Sequence, residues 1–238
     1  MTLAQRIGDY SSPTSIGSRF RRKRIAPLLD MIVSVASKKG RCSIIDVGGT
    51  RKYWGIVPIE FLREHGVSIL ITNIDDNVGE GGTPQVTNAD NSEVIFSYAR
   101  ADACNLPYEK KSFDILHSNS VIEHVGSWDH KVSFSKEADR VALSYFVQTP
   151  NYWFPWEPHF GTLGFQFLPV PIQVSLVMAK RHGFRPRMPT VEAAMHSIEG
   201  CQLLDARRFR ALFPDAEIIR ERFLGLTKSL IAIRRPVP

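Results

Sequence analysis

The sequence predicts an α/β fold, a Rossmann-like doubly wound sheet that is mostly parallel and closes with a C-terminal antiparallel hairpin. Three observations predict it. An apolar run at 43–47, S-I-I-D-V, stops on Gly48-Gly49-Thr50, and its adjacent β-branched residues suit a strand buried on both faces of a parallel sheet. Further β-rich runs at 67–75, 94–101, 112–120 and 143–148 alternate with helical or polar segments, the order that a sheet covered by helices requires. Two last β-rich runs, 216–222 and 228–234, are close enough in sequence to pair as a hairpin.

A chain of 238 residues with 43% hydrophobic residues can bury a full core, and a single domain over residues 1–238 is expected. Residues 1–18, rich in Ser, Thr, Gly and Pro, read as a loose arm. Residues 19–40 read as a basic N-terminal helix: Ile25, Leu28, Leu29, Ile32, Val33, Val35 and Ala36 recur at helical spacing, and Gly40 is a stop. The formal charge of +6 is concentrated from Arg19 to Arg24 and in the last third of the chain. A solvated helix head is the expected role of Arg19 to Arg24, with weak contact to an anionic membrane surface as the alternative. Three cysteines without a C-x-x-C pair indicate neither a disulfide framework nor a zinc site, and fit a reducing cytoplasm. No run has the length of a membrane span, so a soluble cytoplasmic protein is expected; oligomeric state is left open.

In chain order, Gly48 and Gly49 admit close approach of a ligand to the main chain. Residues 56–65 follow as a helix, with Pro58 in its first turn and Gly66 as its cap. The second strand, 67–75, ends on Asp75, the place where nucleotide-binding α/β folds put an acid that accepts from ribose hydroxyls. Residues 76–93 are polar without helical pattern and read as a loop. After the third strand comes A-D-A-C-N-L-P-Y at 101–108, and after the fourth, V-I-E-H-V at 121–125, the start of a helical connection. Beyond the fifth strand, residues 150–200 are expected to form a lid or acceptor insertion. Its leading stretch, Q-T-P-N-Y-W-F-P-W-E-P-H-F at 148–160, lies beyond a strand's carboxyl end, where ligands bind. Its prolines would stiffen it, and its rings could stack on a sugar face or exclude water.

Taken together, D-V-G-G-T at 46–50, Asp75, A-D-A-C-N-L-P-Y and S-F-D-I-L-H-S-N-S-V-I-E-H-V at 112–125 resemble class I S-adenosylmethionine-dependent methyltransferases, in the small-molecule subgroup called methyltransferase type 11. The resemblance runs in order from about Cys42 to Val125. It departs from the family at one point: in place of G-x-G-x-G, Gly48-Gly49-Thr50 is followed by Arg51-Lys52-Tyr53-Trp54. The resemblance implies S-adenosylmethionine as cofactor. Gly48, Gly49 and Thr50 would form the loop around its methionine and ribose portion, with Asp46 near its positive groups. Asp75 would accept from the ribose hydroxyls, Asp102 from the adenine amino group, and the Ala103 amide would meet a ring nitrogen. Asn119 would line the floor beneath the methionine part.

Methyl transfer from a sulfonium needs mainly that the acceptor be positioned, and a hydroxyl acceptor gains from losing its proton. His159, with Glu157 orienting it, is the preferred base, and His124 the second choice; His117, inside a strand, is expected in the core. A metal held by His124, Glu157 and His159 has no close sequence spacing to support it, and none is expected to be required. The expected activity is O-methylation of a small polar molecule or of a glycan hydroxyl. The alternatives are a lipid or quinone-like acceptor, favoured by the apolar run 165–179, and a non-catalytic S-adenosylmethionine-binding protein. A nucleic-acid acceptor is disfavoured, because the N/D-P-P-Y/F/W tetrapeptide of base-amine enzymes is replaced by Ser118-Asn119-Ser120-Val121.

Overall fold

The computed structural model describes residues 16–74, 95–183 and 185–235, with side chains described from Lys23 onward. Of the arm expected at 1–18, residues 1–15 lie outside the described residues and 16–18 are instead the first residues of a helix, Ile16–Lys39; Asp75 and the loop expected at 76–93 also lie outside the described residues. A seven-stranded sheet forms the centre, in the order β3-β2-β1-β4-β5-β9-β8. Its strands are β1 (Cys42–Val47), β2 (Val67–Asn73), β3 (Phe96–Arg100), β4 (Phe113–Asn119), β5 (Ala142–Pro150), β8 (Glu217–Phe223) and β9 (Leu226–Arg234). The first five pair in parallel, while β9 runs antiparallel between β5 and β8. The hairpin turns at Leu224 and Gly225, both at positive φ (48° and 82°), the geometry whose twist matches that of the flanking strands.

Alternation along β1 supplies both halves of the core. Cys42 and Ile44 point into one apolar layer and Ile45 and Val47 into the other, as the two-residue period of a strand dictates. The first layer is covered by α1 (Ile16–Lys39), α2 (Arg51–Trp54) and α3 (Ile59–Glu64), the second by α4 (Trp128–Val141) and α7 (Ala206–Leu212). Helix α1 buries Ile25, Leu28, Met31, Ile32 and Val35 and ends at Gly40, which takes a φ of 70° and donates to the Ala36 carbonyl at 2.8 Å. Val33, expected on that face, is instead exposed. Pro58 is the N-cap of α3 rather than a residue of its first turn.

The solvated helix head needs correction at one residue. Lys23 is exposed, but the Arg24 side chain is only 8% exposed and forks onto the carboxylate of Glu221 on β8, at 2.8 and 3.1 Å, while also donating to Asn119 Oδ1 at 3.0 Å. Arg24 therefore ties α1 to two strands.

Where α1, β1 and β4 meet, Asp114 accepts from Lys39 Nζ at 2.5 Å and from the backbone and hydroxyl of Ser43, each at 2.9 Å. Burial acts to raise its pKa, but these donors outweigh it and hold the carboxyl below its ordinary value. Asp114→Ala is expected to cost about 1.5–3 kcal/mol, the usual worth of hydrogen bonds to a charged group. Because the folded pKa is depressed, this contribution is present above the unfolded carboxyl's pKa and is lost as pH falls through the folded one. Urea melts of wild type and variant at neutral and acidic pH should therefore converge on acidification; a constant gap would refute the assignment.

The segment after β5 has its own small core. Phe160 stacks on Phe165 with centroids 4.1 Å apart, and Val177 of α5 (Val170–Ala179) and Ala194 of α6 (Val191–Glu199) close around them. A two-stranded ribbon, β6 (Trp156–Glu157) and β7 (Thr162–Leu163), precedes these helices. No helix among the described residues is long and apolar enough to cross a membrane.

Candidate active site

At the carboxyl end of β1 the chain turns on Gly48, whose φ is 72° and whose N–H donates to Thr72 on β2 at 2.7 Å. A Cβ on Gly48 would meet Val121 at 2.4 Å, and one on Gly49 would meet the Asp46 carboxylate at 1.7 Å. Both positions therefore admit no side chain. Thr50 ends the turn by capping α2: its Oγ1 accepts from the Tyr53 amide at 3.3 Å.

The departure from G-x-G-x-G acquires a structural reason here. Trp54 is fully buried and donates Nε1–H to Asp46 Oδ2 at 2.7 Å, while His117 Nδ1 lies 2.6 Å from Asp46 Oδ1. Asp46, expected near the cofactor's positive groups, thus has both oxygens engaged beneath the loop. Asn73, at the end of β2, donates to the Gly49 carbonyl at 3.0 Å. Asp102 is exposed and its Oδ1 accepts from the Cys104 amide at 2.8 Å, with Ala103 half-buried beside it. The Asn119 side-chain oxygen is occupied by Arg24.

At the carboxyl end of β4, Ser120 takes a φ of 58°, uncommon for a residue with a Cβ. It is held there by its amide, 3.0 Å from the Gln148 carbonyl, and its hydroxyl, 2.9 Å from Gln148 Oε1. The chain then enters a short 3₁₀ turn, Ile122–His124, which carries two ionisable groups across the end of β5. Glu123 is fully buried; its Oε2 accepts from Thr149 at 2.9 Å, and its Oε1 has no hydrogen-bond partner. Burial pushes the Glu123 carboxyl up to about 7.

His124 Nδ1 lies 2.7 Å from the Gly200 carbonyl, and its Nε2 lies 3.0 Å from His159 Nε2. Desolvation of the His124 ring lowers its pKa. His159 Nδ1 is in turn 2.7 Å from Glu157 Oε1, while the Phe160 amide donates to Glu157 Oε2 at 2.5 Å. Glu157 is thereby fixed by the ribbon and orients the ring. The fold brings together the three residues singled out for catalysis, though His124 and His159 are 35 positions apart.

Two members of the cluster were not singled out by the sequence. Glu123 stands beside His124, so its adjacency was the only signal, and nothing marked it as buried. Cys201 Sγ lies 2.9 Å from His159 Nδ1, and burial pushes its thiol above the ordinary range. The ligand atoms of His124, His159 and Cys201 all lie within 4.8 Å of one another. The expectation of no metal rested on spacing along the chain, which does not report on groups that folding gathers from separate segments.

Residues 58–144 match the methyltransferase domain family model. No curated protein sequence matches the chain. Among solved structures, the trans-methyltransferase CalH in complex with SAH aligns at a TM-score of 0.54 and 11% identity, over 94% of this chain and 61% of its own. The magnesium protoporphyrin IX methyltransferase of Synechocystis PCC 6803, with bound SAH, aligns at 0.50 and 11% identity, over 94% and 90%. A provisional sarcosine dimethylglycine methyltransferase from Galdieria sulphuraria aligns at 0.37 and 20% identity, over 52% of this chain and 45% of that one. The sheet order, the glycine corner after β1 and the matched segment agree: the chain has the Rossmann-like fold seen in these methyltransferases, and its residues 58–144 match the methyltransferase domain family.

Proposed function

We propose that the protein O-methylates a small polar molecule or a sugar hydroxyl, with residues 150–200 acting as the lid over the acceptor. The observation that carries this reading is the His124–His159 pair. It stands beyond the carboxyl ends of β4 and β5, the edge at which open α/β sheets bind ligands. Glu157 accepts at His159 Nδ1, so in the neutral ring the lone pair is on Nε2, where it can take a hydroxyl proton. The resulting imidazolium would be stabilised by Glu157, the arrangement in which an acid orients a base. Trp153 is 65% exposed and stacks on Phe167 with centroids 6.0 Å apart, a ring surface suited to a sugar face.

A lipid or quinone-like acceptor is favoured by a different observation: Leu163, Phe167, Val170 and Ile172 are all exposed on the same insertion. The experiment is incubation of the full chain with methyl-labelled S-adenosylmethionine and separated polar, glycan, lipid and nucleic-acid fractions of the source cell. Label as an ether in the polar or glycan fraction is expected. Label confined to lipid would select the second reading, and label in nucleic acid would overturn both.

A further inference from the structure

The segment after β5 presents apolar side chains to solvent where a surface normally presents charge. Residues 160–179 contain no ionisable side chain. A surface helix usually turns its apolar residues inward and its polar ones outward, but the first turn of α5 does the reverse. Gln173 is buried, its Nε2 donating to the Leu168 carbonyl at 2.8 Å, while Val170 and Ile172 are 45% and 47% exposed. The ribbon carries the same signature. Trp156 and Leu163 stand directly opposite each other across β6 and β7 and so share one face, and Leu163 is 71% exposed.

These pieces form one unit. Gln166 Nε2 donates to the carbonyls of Tyr152 and Phe154 at 3.0 and 2.6 Å, and the Gly164 amide donates to the Pro155 carbonyl at 2.6 Å. The 3₁₀ turn Phe165–Phe167 is thereby fastened between ribbon and helix, and Phe167 adds another exposed ring. Charge completes the pattern. Between residues 153 and 190 the only acid, Glu157, is buried, whereas Lys180, Arg181 and Arg187 are exposed. Arg187 Nε donates to the Met178 carbonyl at 2.8 Å, which places this residue at the end of α5 that Lys180 caps.

We infer that this face docks on an anionic lipid bilayer, with Trp156, Leu163, Phe167, Val170 and Ile172 entering the interface and the three basic residues meeting the headgroups. Aliphatic and aromatic groups bordered by basic ones are what lets a segment lie in a membrane surface without crossing it, and the negative potential of such a surface draws Lys and Arg. A second copy of the chain is the poorer occupant. A symmetric contact would bring two sets of uncompensated basic groups to one interface.

Docking is read without S-adenosylmethionine, so it and the proposed acceptor chemistry can fail separately. The full chain is sedimented with vesicles of phosphatidylcholine alone and of phosphatidylcholine mixed with phosphatidylserine. Binding to the mixed vesicles is expected to be at least 10-fold tighter and to weaken as salt is raised. Val170→Glu with Ile172→Glu should weaken it at least 10-fold, since both apolar groups are lost from the interface. Acids in the first turn of a helix are favourable, so this variant should fold, and circular dichroism checks it. Lys180→Gln with Arg181→Gln should cost about 10-fold on the mixed vesicles and little on phosphatidylcholine. The inference is overturned if the wild type ignores both vesicles, if it binds them equally, or if the Val170→Glu, Ile172→Glu variant binds as wild type does. It is also overturned if sedimentation velocity shows a wild-type dimer that this variant dissociates while vesicles leave the dimer intact and unbound, because the face would then belong to a second copy.

Discussion

His159→Ala is expected to lower turnover by about 10²–10⁴-fold, the worth of general base catalysis, with the affinity for S-adenosylmethionine unchanged. The ring lies at the centre of the cluster, 2.7 Å from Glu157 and 3.0 Å from His124, so its removal leaves no lone pair aimed along the same line. His124→Ala should cost less, because His159 keeps its orienting carboxylate. Equal loss of turnover and of cofactor affinity would point to a structural role instead. Near-normal turnover in His159→Ala with an inactive, cofactor-binding His124→Ala would reverse the two roles.

How far this site could be read before folding differs from residue to residue. The sheet was legible because buried strands and glycine turns are local signals: β1 with its glycine corner needs only Ile44, Ile45, Val47, Gly48 and Gly49. His117 was legible for the same reason, as an interior strand position, and it is fully buried. Its partner was not, because the pairing with Asp46 crosses from β4 to β1. Asp46 is also met by Trp54, eight residues on, which folds back beneath the loop, a contact that an acid's place at a strand's end does not announce. Arg24 shows the same limit: charge density predicts solvation, and only the position of β8 after β9 in the sheet brings Glu221 within its reach. Glu123 was hidden for a thermodynamic reason, since a fully buried carboxyl is exceptional among glutamates and no local pattern marks it.

The glycine corner bears the other large expected effect. Gly49→Ala should destabilise the protein by about 1–3 kcal/mol for each of the two buried hydrogen bonds it disturbs, and lower its melting temperature by about 5 °C or more. The new methyl would lie 1.7 Å from Asp46 Oδ2 and 2.1 Å from its Cγ, so the carboxylate would have to move. Asp46 is fully buried, and moving it would withdraw the acceptor from Trp54 Nε1 and the partner from His117 Nδ1. His117 Nε2 is already without a hydrogen-bond partner, so a displaced pair would leave the ring with none. By contrast, Gly55→Ala, at a helical φ of −62° and with its nearest contact at 3.3 Å, should shift the melting temperature little. The steric origin is tested by a double-mutant cycle. Asp46→Ala removes the atoms that the Gly49→Ala methyl would strike, so the double variant should melt no lower than Asp46→Ala alone. Additive losses would mean that Gly49 matters for a reason other than the carboxylate beneath it.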